Sequence, residues 1–92
     1  MVARMVSRSL SVVNPLGLHA RAAARFVKHA SRYRSQIRVT RGTGTMDGKS
    51  ILGLLLLAAA RGSVIEVSAD GPDEDAAMAD LCALAERGFE DA

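Results

Sequence analysis

His19 stands where two sequence patterns meet: an alternating apolar segment stops before Asn14-Pro15, and Ala20-Arg21-Ala22-Ala23-Ala24 opens a run of strong helix formers. Gly17, just ahead, permits a tight turn. The spacing predicts an imidazole at the start of a helix, where backbone N–H groups lack intrahelical partners and the positive end of the helix dipole favours an anion, above all a phosphate. Arg21 adds a guanidinium able to grip phosphate oxygens in bidentate fashion. A neutral imidazole is nucleophilic near pH 7, and the P–N bond it forms keeps a high transfer potential. Taken alone, a histidine near a helix end is more often a solvated side chain than a nucleophile, and the sequence does not choose between its two ring nitrogens.

Ser50 is the second residue with placed chemistry. It precedes the apolar run Ile51-Leu52-Gly53-Leu54-Leu55, so its hydroxyl is set to cap the next helix, a contribution of ~1 kcal/mol. Metal-ligand spacings, a nucleophilic triad and a glycine-rich nucleotide loop are all missing from the sequence, which leaves an independent enzyme the least supported class. The single cysteine, Cys82, falls within a helical apolar pattern; it excludes a disulfide framework within one chain and fits a reducing cytoplasm.

Gly17-Leu18-His19-Ala20-Arg21 resembles the phosphorylation-site signature of the HPr family, the histidine-containing phosphocarriers of the bacterial phosphotransferase system. Ala22 stands where that family has proline. Gly48-Lys49-Ser50-Ile51-Leu52-Gly53-Leu54 resembles the family's regulatory serine segment, at the family's separation from the histidine. The resemblance covers nearly the whole chain, and Gly88-Phe89-Glu90-Asp91 resembles proteobacterial members of the nitrogen-related branch. It implies that Nδ1 of His19 accepts the phosphoryl group, with Arg21 and the backbone N–H groups of Ala20 and Arg21 stabilising it. It further implies a regulatory phosphorylation at Ser50 by an HPr kinase/phosphorylase, and a docking patch of Leu18, Ile51, Leu52 and Leu55. Phospho-enzyme I is the implied donor and an enzyme II A component the implied acceptor. No cofactor and no metal are expected, and the chain is expected to be a monomer.

Two other classes compete with a phosphocarrier. One is an HPr-like regulatory module that binds targets without productive phosphotransfer. The other is a small basic nucleic-acid-binding domain, which would show steeply salt-dependent binding. Only Phe26, Tyr33 and Phe89 are aromatic and no RNP-like sequence is present, so a base-stacking platform is poorly supported.

Ninety-two residues fit one domain, 1–92. With 49% apolar and 24% charged residues the composition is that of a soluble globular protein. Arginines interrupt the first eight residues, and no signal peptide is expected. The longest apolar run, residues 51–60, is half the ~20 residues needed to span a bilayer, so a buried helix is expected rather than membrane insertion. Residues 1–46 carry nine Lys or Arg and no acid, whereas residues 47–92 carry three basic and ten acidic residues. That asymmetry fits either a basic partner-facing surface or two halves interleaved in one fold.

Val6, Leu10 and Val12 alternate with serines and predict a half-buried strand in which Arg8 breaks the inward set near an edge. Ala23, Phe26, Val27 and Ala30 form one face of a helix over residues 20–31, with Arg21, Arg25, Lys28 and Arg32 on another. His29 reads as an ordinary surface residue. Ile37 and Val39 mark a second strand, Gly42-Thr43-Gly44 a hairpin turn and residues 45–47 a return strand. Residues 51–58 predict an apolar helix ended near Arg61-Gly62, with part of Ile51, Leu52, Leu55 and Leu56 left exposed. Residues 63–70 read as a central strand, Asp70-Gly71-Pro72 as a turn, and residues from Asp73 to about Gly88 as a closing helix. The implied architecture is α+β, an open-faced β-sandwich in the order β-α-β-β-α-β-α. The resemblance adds that its four-stranded sheet is antiparallel, with three helices on one face.

Overall fold

The computed structural model describes residues 5–90, so the structure of Met1, Asp91 and the other terminal positions, including the last residue of the Gly88-to-Asp91 motif, lies outside it. The elements are β1 (Val6–Ser11), α1 (Ala20–Ala30), β2 (Gln36–Arg41), β3 (Gly44–Asp47), α2 (Ile51–Leu56), β4 (Val64–Asp70) and α3 (Glu74–Glu86). All strand pairs are antiparallel, in the order β1-β4-β2-β3. Alternation decides the layers. Ile65, Val67 and Ala69 of β4 and Ile37 and Val39 of β2 are fully buried, while Val64, Glu66, Gln36 and Arg38 face outward. The helices therefore cover one face and leave the other as a polar surface.

β1 is an edge strand, as Arg8 implied. Its guanidinium turns out to the Ser7 carbonyl at 2.7 Å, and a charge on an inward position of an edge strand discourages pairing with another chain. The core joins the inner sheet face to Phe26 and Ala30 of α1, Leu54 of α2, and Leu81 and Leu84 of α3, with Phe89 closing it beyond the last helix. Phe89 takes φ 61°, and its carbonyl and the Glu90 carboxylate both receive the Arg25 guanidinium, at 3.2 and 2.8 Å. The basic stripe on α1 is thus partly spent inside the molecule, which favours the interleaved reading of the charge asymmetry.

His29 is not a surface residue. It is 5% exposed and its Nδ1 lies 2.8 Å from Asp80 Oδ1 on α3. Three residues after Phe26, it falls on the apolar stripe, and a carboxylate distant in sequence satisfies it. Asp80 also accepts the Tyr33 hydroxyl at 2.7 Å. Burial alone would raise the Asp80 pKa, but the hydrogen bonds from Tyr33 and His29 hold it below the ordinary carboxylate value.

Asp73, expected to open the closing helix, sits one residue before it. At the N-cap of α3 it makes no side-chain capping bond; its carboxylate takes Ser35 Oγ at 2.5 Å, Arg34 N at 2.8 Å and Ser35 N at 2.9 Å. These bonds, that of the Ser35 hydroxyl foremost, lower its pKa from 3.8 to about 2. A depressed carboxylate contributes stability above its unfolded pKa and loses it as pH falls through the folded value. Asp73→Asn should therefore flatten the stability-against-pH curve between about pH 4 and pH 2 in urea titrations. An unchanged slope there would show that these bonds do not select the ionised carboxylate.

α2 is shorter than the apolar run suggested. It stops at Leu56, with Leu57 as C-cap, and the reversal falls on Ala58 at φ 49° rather than on Gly62. Ala58 N donates to Leu55 O at 3.1 Å, and Arg41 Nη1 donates to Leu57 O at 3.0 Å, supplying a cation to the exposed carbonyls of the helix end. Gly62, at φ 89°, instead serves the turn into β4, where its N–H reaches Val12 O at 2.8 Å.

Candidate functional site

The loop from β1 to α1 is built by short-range bonds. Gly17 N closes a turn onto Asn14 O at 3.0 Å, Pro15 occupies the second turn position, and Asn14 Nδ2 donates back to Gly17 O. Leu16 is left at the tip, 76% exposed. Gly17 has φ 68°, and a Cβ there would lie 2.6 Å from Ala59 O and 2.9 Å from Ala60 Cα. Only glycine lets the two backbones approach so closely. Leu18 N then donates to Ala59 O at 2.8 Å, and His19 N donates to Gly17 O at 2.9 Å.

His19 is the N-cap of α1, with extended backbone at φ −77° and ψ −179°. Its carbonyl accepts Ala23 N at 2.8 Å, the first bond of the helix, and its Nδ1 accepts Arg21 N at 3.3 Å. An imidazole nitrogen that accepts an N–H carries a lone pair, so neutral His19 holds its proton on Nε2. The unprotonated nitrogen thus faces the first helical turn, where an anion would meet backbone N–H groups and the positive dipole end. Among the described residues the Arg21 guanidinium makes no hydrogen bond or ion pair, and it is exposed. The first turn forms with Ala22 buried at 2% exposure, so the His19 cap and the Gly17–Ala59 contact set the start of the helix without a proline.

Ser50 is the N-cap of α2, its Oγ accepting Gly53 N at 3.0 Å. Lys49 steadies the preceding turn through Lys49 Nζ to Tyr33 O at 2.7 Å and Lys49 N to Asp47 Oδ1 at 2.9 Å. Beyond Ser50 the surface is apolar: Ile51 is 43% exposed, Leu52 68%, Leu55 37% and Leu56 64%. Leu18, expected in the docking patch, is 5% exposed and belongs to the core. Its place between Gly17 and His19 turns its side chain under the loop, and the apolar side chain left outside is that of Leu16. A leucine at a turn tip gives no periodic signal, and the position of Leu16 after Pro15 in a four-residue turn was the available clue to its exposure.

α1 and α2 pack against each other, and the α2–β4 loop is bonded to the segment leading into His19. The structure therefore brings the His19 and Ser50 elements into one region. Among the described residues, no group of three or more His, Cys, Asp or Glu side chains is placed to hold a metal ion, and no helix is long and apolar enough to cross a membrane.

An open-faced antiparallel sheet, a helix-capping imidazole and an exposed apolar helix together define a small phosphoryl-carrier domain. The family model described as "PTS HPr component phosphorylation site" matches residues 6–87. The phosphocarrier protein HPr of Neisseria meningitidis serogroup A is 48% identical over 80 residues, 87% of this chain and 90% of that protein. The structure of HPr-C-His from Thermoanaerobacter tengcongensis superposes with TM-score 0.89 at 39% identity, covering 95% of this chain and 99% of that one. An HPr dimer from the same organism superposes with TM-score 0.75 at 40% identity, over 89% and 94% of the two chains. The chain belongs to the HPr family, the phosphocarriers of the phosphotransferase system.

Proposed function

We propose that His19 carries the phosphoryl group, taking it from phospho-enzyme I and passing it to a histidine of an enzyme II A component. The observation that supports this most directly is the hydrogen bond from Arg21 N to His19 Nδ1, which leaves that nitrogen unprotonated at a helix N-terminus. In the forward step the Nδ1 lone pair forms a bond to phosphorus as the P–N bond of the donor phosphohistidine breaks. The proton on Nε2 stays in place. Transfer passes through a loose transition state whose demands are alignment and positive charge, so Arg21 and the N–H groups of Ala20 and Arg21 suffice without a general base. The helix end contributes on the order of 0.3–1 kcal/mol when exposed, which orients a phosphate without trapping it.

Ile51, Leu52 and Leu55 form the docking surface in this reading, together with Leu16 and Leu56. Ser50 is a regulatory site for an HPr kinase/phosphorylase. A phosphate there would add about −1.5 to −2 charges at the edge of the apolar surface. Ser50→Asp should raise KM for this chain as substrate of enzyme I by roughly fivefold or more, with no metal or cofactor required. A KM equal to that of the parent, with no modification by the kinase, would reduce Ser50 to a helix cap. The protein acts as a single-domain monomer in the cytoplasm, and sedimentation at micromolar concentration tests the oligomeric state. Incubation with enzyme I and phosphoenolpyruvate, followed by mass-spectrometric location of the phosphate, tests the carrier reading. Failure of enzyme I to label the chain would favour a binding module without phosphotransfer.

A further inference from the structure

We infer that residues 57–60, the loop leaving α2, are a positioning element for the phosphoacceptor, with Ala58 as its positioning residue. This rests on the reading of His19 as the acceptor. Three observations converge on the loop. Ala58 holds φ 49°, a left-handed conformation that a residue with a Cβ rarely adopts outside a site that enforces it. The next residue, Ala59, presents its carbonyl to Leu18 N at 2.8 Å, one residue before His19. That carbonyl and the Ala60 Cα also lie so close to Gly17 that a Cβ there would meet them at 2.6 and 2.9 Å.

Geometry connects these facts. The left-handed residue turns the chain back at the end of α2, and the turned chain lies as a backbone wall against residues 17 and 18. Two further bonds lock the wall on its far side, Val12 N to Ser63 O at 2.9 Å and Gly62 N to Val12 O at 2.8 Å. The phosphoacceptor loop is thus held at both ends by the same returning segment. The segment is anchored in turn by Arg41 Nη1 on Leu57 O at 3.0 Å. Leu18 cannot move without breaking its bond to Ala59, and His19 follows directly from it, so the imidazole is aimed at the first turn of α1 by a loop that makes no hydrogen bond to the ring itself. Ala58 is exposed, and a larger side chain there perturbs backbone preference rather than the core.

The test is a series at position 58. Ala58→Gly removes the penalty for left-handed backbone, whereas Ala58→Val increases it through a β-branched side chain. Ala58→Gly is expected to keep the Leu18 amide as protected from hydrogen exchange as in the parent, with the same His19 ring 15N spectrum. Ala58→Val is expected to speed Leu18 exchange at least tenfold and shift the His19 Nδ1 resonance. With enzyme I and phosphoenolpyruvate it should lower kcat at least fivefold at unchanged KM. A change in KM alone would mean that Ala58 belongs to the docking surface, and would overturn the inference. Equal exchange and identical ring spectra across the series would overturn it too. Should Ala58→Val not fold, Gly17→Ala, which pushes the same two backbones apart, is read by the same spectra. Those spectra need no phosphotransfer, so they succeed or fail separately from the assignment of His19, which His19→Ala tests by itself.

Discussion

His19→Ala is expected to abolish incorporation of acid-labile phosphate from phosphoenolpyruvate and enzyme I, while lowering the thermal midpoint by only a few degrees. Loss of label follows because the other histidine cannot substitute. His29 is 5% exposed, and its Nδ1 is engaged by Asp80 at 2.8 Å. The small stability effect follows because the side chain lost contributes one long capping bond, at 3.3 Å. Removing a cap costs ~0.5–2 kcal/mol, and a bond of this length belongs at the low end, which for a domain of this size shifts the midpoint by roughly 2–4 °C. Mass spectrometry and a melting curve on one sample check both halves. Acid-labile phosphate retained at the level of the parent would remove His19 from the mechanism.

Gly17→Ala is expected to be the most destabilising change in the loop. Left-handed backbone costs an alanine ~1–2 kcal/mol. The added Cβ must also displace Ala59 O and Ala60 Cα, which it would otherwise meet at 2.6 and 2.9 Å. Overpacking of this kind costs ~1–3 kcal/mol, and because the obstacle is backbone, no side-chain rotation relieves it. The sum, roughly 2–5 kcal/mol, corresponds to a fall in midpoint of at least about 10 °C. Phosphotransfer should drop with it at temperatures where the variant is still folded, because moving Ala59 releases Leu18 and the residue after it. A midpoint within 3 °C of the parent would show that the loop shifts freely, and the close approach would then carry no functional weight.

These two changes also mark what the sequence could reveal. Gly17-Leu18-His19-Ala20 announced a turn and the start of a helix, because each depends on residues within one turn of chain; Ser50 before its apolar run likewise announced a cap. The order of seven elements was legible for the same reason, since the alternation of Ile65, Val67 and Ala69 and the spacing of Ala23, Phe26 and Ala30 are local patterns. What escaped depends on distant partners. His29 looked superficial until Asp80, 51 residues away, came beneath it. Asp73 read only as the opening of a helix, because the partners of its carboxylate, Ser35 and the Arg34 amide, lie 38 and 39 residues away. Leu18, expected outside, is buried, and Leu16, which carried no expectation, is exposed, because one turn decides which of two leucines points inward. Ala58 gave no sign at all, since an alanine says nothing about a left-handed backbone that tertiary contacts impose.

The strand order has a consequence for the birth of the protein. Among the described residues β1 pairs only with β4, Val6 opposite Ala69, so it has no neighbour until the last strand of the sheet has emerged. The residues that brace the start of α1 come just as late, because Leu18 waits for Ala59 and Val12 for Ser63. Long-range pairing of this kind slows closure of the fold relative to local helix formation. A nascent chain can therefore possess helix α1 and its histidine well before it possesses the segment that braces them, and the surroundings of His19 are complete only once β4 has emerged.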